Sequence, residues 1–265
     1  MTARTRWSLV LSVAPVLAVG ALAAPMSAQS LRERIRTAPD GDVTFQFALK
    51  EDVEVCDHGV SMRGSGWRVS SRSNRPDICG AGEGEVLLKV RDGAVVALDL
   101  RPPSIDRSDT DLGFQDAQMV AEYLLGVAAA HPRESVAEDA IAPAAMIDGV
   151  TIWSALLDLA RDRSVFVDVR EQAVFWLSQE AAETATAGLA SIAKDDDEAA
   201  EVRAAAVFAL SQRPDEEGVP ILMELAVTSR HARVRESSLF WLAQSKDPRV
   251  LPFFESILIG AVTLR

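Results

Sequence analysis

From Val43 to Leu49 apolar and polar residues alternate: Val43, Phe45, Phe47 and Leu49 are separated by Thr44, Gln46 and Ala48. A period of two puts one row of side chains against a core and the other toward solvent, which predicts a half-buried strand. Val53 and Val55 continue the pattern toward Cys56. Farther along, residues 85–91 and 94–100 are β-prone runs flanking Asp92-Gly93. A two-residue hairpin turn needs positive φ at both central positions, which Asp-Gly tolerates, so a hairpin is predicted there. The Gly-, Ser-, Arg- and Asn-rich residues 59–84 between these runs read as loop or irregular hairpin, with a short strand at Trp67 to Val69. Residues 42–105 are thus expected to form a small antiparallel β domain, preceded by a tether over residues 29–41 with a short helix at residues 31–37.

After Phe114 the apolar spacing becomes helical. Ala117, Val120, Ala121, Leu124, Leu125 and Ala128 share one helix face. A second helix is predicted over residues 134–146, kinked or ended by Pro143. A third over residues 151–161 opens a repeat. The segment Val169-Arg170-Glu171-Gln172-Ala173-Val174-Phe175-Trp176-Leu177 recurs from Val202 and again from Val234, at intervals of 33 and 32 residues. A second column, Leu159, Ile192 and Leu225, keeps intervals of 33 and 33. Each unit therefore reads as an outer helix, an acidic or polar turn and an inner helix, with a last outer helix over residues 252–258. A fixed period of this size with helical copies implies a stacked array. The fold class expected is mainly α: an α-solenoid over residues 114–265, clearest over 150–260, joined through an acidic linker at 106–113 to the small N-terminal antiparallel β domain.

Three features carry a family resemblance. They are the Val-Arg pairs at 169/170, 202/203 and 234/235, the leucines Leu177, Leu210 and Leu242, and the Asp-Pro-Arg-Val-Leu-Pro run from Asp247 to Pro252. In these the chain resembles HEAT-type repeats, particularly the bacterial lyase-like subgroup. The resemblance implies an array of helical hairpins whose role is recognition of another protein, and it leaves the β domain unexplained. Some relatives take part in attaching chromophores to light-harvesting proteins. The likeness here lies in repeat-packing residues, which transfer no activity.

On a helical wheel centred on Val202, the residues Ala205, Ala206, Ala209 and Leu210 cluster as the buried face. Trp176 and Trp241 replace Ala209 in the other copies and are expected in the core. Phe175, Phe208 and Phe240 lie on one flank, with Gln179, Gln212 and Gln244 four residues later. Two arrangements suit the phenylalanines: burial against the neighbouring repeat, or an aromatic and amide ladder on the inner surface, fitted to a peptide or glycan chain. Arg170, Arg203 and Arg235 occupy the opposite flank. They suit either an internal ladder with acids of adjacent repeats or recognition of a carboxylate-bearing partner by the planar guanidinium fork.

Composition adds location and excludes several chemistries. Arg4 and Arg6, the apolar run from Trp7 to Leu22 and the small residues through Ala28 have the order of a secretory leader, cleaved after Ala28 or Ala23. An uncleaved anchor is the competing reading, but Pro15 interrupts the run and it is short for a span of about 20 apolar residues. Removing the leader takes the net charge from −12 to −14. So acidic a chain repels phosphate backbones, so no nucleic-acid partner is expected. Cys56 and Cys79 are the only cysteines, and in an exported chain they are expected to pair. Such a bridge contributes about 3 kcal/mol on chain-entropy grounds.

His58, His131 and His231 are scattered and lack metal-ligand spacing, so no metal or cofactor is expected. Cys56-Asp57-His58 is the one enzymatic candidate, since imidazole near a thiol generates thiolate. The Gly80–Gly84 run has no lysine and carries acids, unlike a phosphate loop, and no Gly-x-Ser-x-Gly elbow occurs. The sequence thus points to a non-enzymatic, exported (periplasmic or secreted) bacterial scaffold that binds a protein or peptide. The alternative is an enzyme or enzyme subunit with chemistry near Cys56 and His58.

Overall fold

A computed structural model describes residues 28–56, 59–62, 68–70, 79–103, 108–180 and 183–262. The predicted leader, except Ala28, lies outside these residues, as do Asp57, His58 and Trp67. The first element is helix α1 (Ala28–Arg36). Leu31 and Ile35, four residues apart, share one face and are buried. Arg32, Glu33, Arg34 and Arg36 take the exposed side. The segment expected to be a tether is thus a docked amphipathic helix, lying against helix α2 (Ala117–Ala130). Its alternating charges are the solvent face of that helix.

Strand β1 (Gly41–Ala48) runs inside a four-stranded sheet of order β7-β6-β1-β8. The others are β6 (Glu83–Arg91), β7 (Ala94–Arg101) and β8 (Thr110–Phe114). Val43, Phe45, Phe47 and Leu49 are all buried, facing the row Val86, Leu88 and Val90 of β6. Asp92 (φ 52°) and Gly93 (φ 70°) form the β6–β7 turn. Strand β8 comes from the stretch expected to be an acidic linker and pairs parallel to β1. The Asp42 amide donates to Asp109 Oδ2 at 2.9 Å, and the Gln115 amide to the Gln46 carbonyl at 2.8 Å. The acidic side chains that suggest a linker coexist with a backbone that completes the open edge of β1.

A second sheet, of order β4-β3-β2-β5, joins the strand pattern at Val53 to Cys56 to the region read as loop or irregular hairpin, where the short strand expected at Trp67 to Val69 is overlapped by β4. Its strands are β2 (Val53–Cys56), β3 (Gly59–Met62), β4 (Arg68–Ser70) and β5 (Cys79–Ala81). Cys56 and Cys79 stand directly opposite each other, with Cα atoms 4.0 Å apart, and are disulfide-bonded.

Asp116 caps α2 by accepting from the Met119 amide at 3.1 Å. Tyr123 of α2 meets Phe45 edge-on, with ring centroids 6.0 Å apart. The helix predicted over residues 134–146 is broken into α3 (Glu134–Asp139) and α4 (Ile141–Ala145). Pro143 has no N–H for the carbonyl of Asp139, so the interruption falls at Ala140 rather than at the proline. Backbone bonds from Lys50 to Met146 (3.0 Å) and from Asp148 to Ala48 (2.9 Å) then stitch this corner to β1. One continuous core runs from Leu31 through the sheet to Val250. Buried residues of α1, α2 and α4 belong to the same core as those of the sheet.

The repeats follow as α5 (Trp153–Arg161), α6 (Val167–Gln179), α7 (Glu183–Lys194), α8 (Ala200–Ser211), α9 (Asp215–Thr228), α10 (Ala232–Gln244) and α11 (Val250–Leu258). Val169, Val202 and Val234 and the three repeat leucines are buried between layers, as is the outer column Leu159, Ile192 and Leu225. Inner helices α6, α8 and α10 pack against one another more closely than the outer helices do, and their layer carries a concavity lined from α3, α6, α8 and α10. Alanines at 205, 206 and 209 permit that approach. If α1 is part of this core, Leu31→Ala and Ile35→Ala should each lower unfolding free energy by about 2–4 kcal/mol in urea denaturation. Unchanged stability would mean an undocked segment.

Candidate interaction surface

The arginine column faces inward to the turns. Arg170 is buried; its Nε donates to the Ala160 carbonyl at 2.9 Å and its Nη2 pairs with Glu198. Arg203 Nη1 donates to the carbonyls of Asp195 and Asp196, both at 3.3 Å, and to that of Glu198. Arg235 Nη1 reaches the carbonyls of Ser229 (3.0 Å) and Arg230 (3.2 Å). Each arginine thus closes the turn before its own inner helix, Arg170 on a last-turn carbonyl of α5 and Arg203 and Arg235 on carbonyls of the turn itself. The turns are tightened further where Asp162 Oδ1 accepts from the Ser164 amide (2.9 Å) and Asp195 Oδ1 from that of Asp197 (3.0 Å). Of the two roles open to this column, the internal one is observed. The buried Arg170 and Arg203 present no guanidinium fork to a partner.

The phenylalanine column lies on the concave face. Phe175 and Phe208 are half-buried, and Phe240 is 56% exposed. Phe175 meets Trp176 edge-on (5.3 Å), while Trp241 stands between Phe208 (5.1 Å) and Phe240 (5.0 Å). Trp176 is core as expected, but Trp241 is only half-buried because these rings flank it at the surface. Gln179, Gln212 and Gln244 are exposed at the ends of the inner helices. Gln179 and Gln212 donate to the neighbouring Ser178 and Ser211 hydroxyls at 2.9 and 3.0 Å. Those hydroxyls donate in turn to the Phe175 and Phe208 carbonyls, each at 2.6 Å.

Beside Phe175 and Phe208 runs an open groove of about 780 Å³, lined by none of these three glutamines. Phe175, Phe208, Ala204 and Ala205 form its apolar part, and Glu138, Asp168, Glu171 and Glu201 its carboxylates. Gln172 donates to Glu138 Oε1 at 3.3 Å, and Arg233 marks the α10 end. Burial first, then the fields of Asp168 and Glu201, raise the Glu171 carboxyl above its ordinary value, with Arg233 opposing. Asp139, beside the groove on α3, is pushed up to about 6 by burial, then by Glu138 and Asp99.

The groove acids are the functional candidates that the repeat pattern did not single out, yet their signal is present. The residue before each Val-Arg pair is charged, as Asp168, Glu201 and Arg233, and stands seven residues before the phenylalanine. Seven residues are nearly two helical turns, so charge and ring share one stripe.

The remaining candidates stay apart. His131 Nε2 lies 3.1 Å from the Val95 carbonyl and His231 Nε2 3.1 Å from Asp196 Oδ1, while His58 is outside the described residues. Among the described residues no group of three His, Cys, Asp or Glu side chains could hold a metal ion. Cys56, being bonded to Cys79, is not a free thiol.

Comparison with protein families matches HEAT repeats at residues 153–243 and again at 186–260, which supports a HEAT-repeat reading of the helical hairpins there. Comparison with curated proteins gave no match.

Both raised carboxyls bind protons more tightly in the folded state than in the unfolded one. Their stabilisation is present at low pH and is lost as pH rises through the folded values, for Asp139 between 3.8 and about 6. The contribution of these two groups should therefore rise as pH falls across that window, opposite in sign to that of the lowered Asp162, Glu217 and Asp247 carboxyls. The Glu171→Gln/Asp139→Asn double variant should be the more stable protein at pH 7, by up to about 1 kcal/mol after solvent screening, with that pH dependence flattened. Urea denaturation at several pH values measures both.

Proposed function

We propose that this is a non-catalytic, exported scaffold that holds a segment of another protein in the concave groove of its solenoid. HEAT repeats generally mediate protein–protein interaction, and each repeat adds one row of side chains to a continuous surface. The observation that carries the reading is the phenylalanine column: Phe175 and Phe208 lie half-buried in the groove, and the exposed Phe240 extends the row. Partly covered aromatic rings in a concavity are the kind of anchor that a partner buries. The carboxylates beside them disfavour a phosphate backbone as occupant. Export rests on the predicted leader and fits the disulfide, which persists in oxidising compartments. No helix among the described residues is long and apolar enough to cross a membrane.

The test is capture of exported proteins by the full chain carrying Phe175→Ser, Phe208→Ser or Phe240→Ser. Leu251→Ser on outer helix α11 is the control, since Leu251 is 68% exposed. Phe240→Ser should change stability by less than about 1 kcal/mol, its ring being largely in water already, and still lose partners that the Leu251 variant retains. Retention of the same partners by all three phenylalanine variants would contradict the proposal.

A further inference from the structure

We infer that the occupant of the groove is an amphipathic helix of a partner protein, cationic along one edge and apolar along its face. The inference rests on the groove reading above and names the chemistry of what fills it. Several acids elsewhere in the array are answered internally: Glu198 by Arg170, Asp195 by Arg163, Asp196 by Arg230, Glu217 by Arg213 and Glu224 by Lys194. Among the described residues no ion pair reaches Asp168, Glu171 or Glu201, although all three line one groove with Glu138. Only Arg233 supplies positive charge to that lining. The groove therefore carries an excess of carboxylate that the fold leaves uncompensated, and a cationic side chain placed there gains attraction without displacing an internal partner.

The second dimension is apolar. Along α6, Asp168 and Phe175 are seven residues apart, and along α8 so are Glu201 and Phe208, which is about 10 Å of helix rise. An acidic row and an aromatic row thus run side by side across the repeats at about the diameter of a helix with its side chains. An amphipathic helix laid across α6 and α8 can meet both rows at once, lysines or arginines on the acidic edge and aliphatic side chains over the rings. Arg233 ends the acidic row at α10, which places the cationic stretch against α6 and α8 and lets the apolar face continue toward Phe240.

Fluorescence anisotropy with the full chain and a labelled amphipathic helical peptide of Leu and Lys tests this, with the same peptide carrying Glu for Lys as comparison. Glu171→Gln/Glu201→Gln neutralises the groove. Glu51→Gln/Asp52→Asn, both exposed after β1, removes the same charge elsewhere. The Leu/Lys peptide should bind and weaken with salt, weaken about tenfold with the groove pair, and change less than about twofold with the control pair. Equal weakening by both pairs would reduce the effect to overall charge and overturn the inference. Equal binding of the Leu/Glu peptide, with Phe208→Ser still weakening it, would overturn the cationic partner while leaving the groove reading intact. Leu/Lys binding indifferent to both Phe208→Ser and the groove pair would overturn both.

Discussion

The arginine that opens each inner helix fixes how that helix is rotated, and the rest of the array depends on that rotation. With Arg170, Arg203 and Arg235 held by turn carbonyls, the preceding valines and following leucines must face the layer between helices. The phenylalanines, and the charged residue before each valine, are then left on the concave side. The tie is strongest at Arg170, where a guanidinium and the Glu198 carboxylate are both nearly inaccessible to water. Removing one member of such a pair strands a buried charge and typically costs about 3–5 kcal/mol. The motif that repeats most faithfully is thus a packing device, and its fidelity lets a functional stripe repeat beside it.

The sheet takes its place in the same scheme. Its buried face shares one core with α1, α2 and α4, and α3 and α4 in turn lie against α6. An array of hairpins exposes apolar surface at its first unit unless something covers it. Here α3 and α4 lie against α6 and provide that cover, and main-chain bonds at Lys50 and Asp148, with the Lys50–Glu180 contact at 3.4 Å, tie this corner to the end of β1. The groove starts at Glu138 of α3, so the N-terminal part also helps to build the surface.

What was legible in the sequence follows from how locally each feature is encoded. The β1 alternation, the Asp92-Gly93 turn, the three inner helices and the cysteine pair are each specified within a few residues or by repetition, and the structure has them. Strand β8 and the docking of α1 depend on partners far along the chain: Asp109 and Gln115 meet β1, and Leu31 meets a core built from α2 and the sheet. Local charge made both look solvated. Strands β3 and β5 are hidden because these short runs take their pairing from β2 rather than from their own propensity, whereas β4 overlaps the short strand expected at Trp67 to Val69. The groove is hidden because Asp168 and Glu201 stand directly before Val-Arg pairs whose regularity belongs to packing.

If the concave stripe of rings and carboxylates is the surface that meets a partner, its rings respond to binding and rings elsewhere do not. Fluorine NMR of the full chain carrying 4-fluorophenylalanine, titrated with the Leu/Lys helical peptide, reads it ring by ring. The account predicts that the resonances of Phe175, Phe208 and Phe240 shift together, while the buried Phe45 and Phe47 and the α11 rings Phe253 and Phe254 stay in place. Binding that moved the α11 rings and left Phe175 and Phe208 unchanged would contradict it.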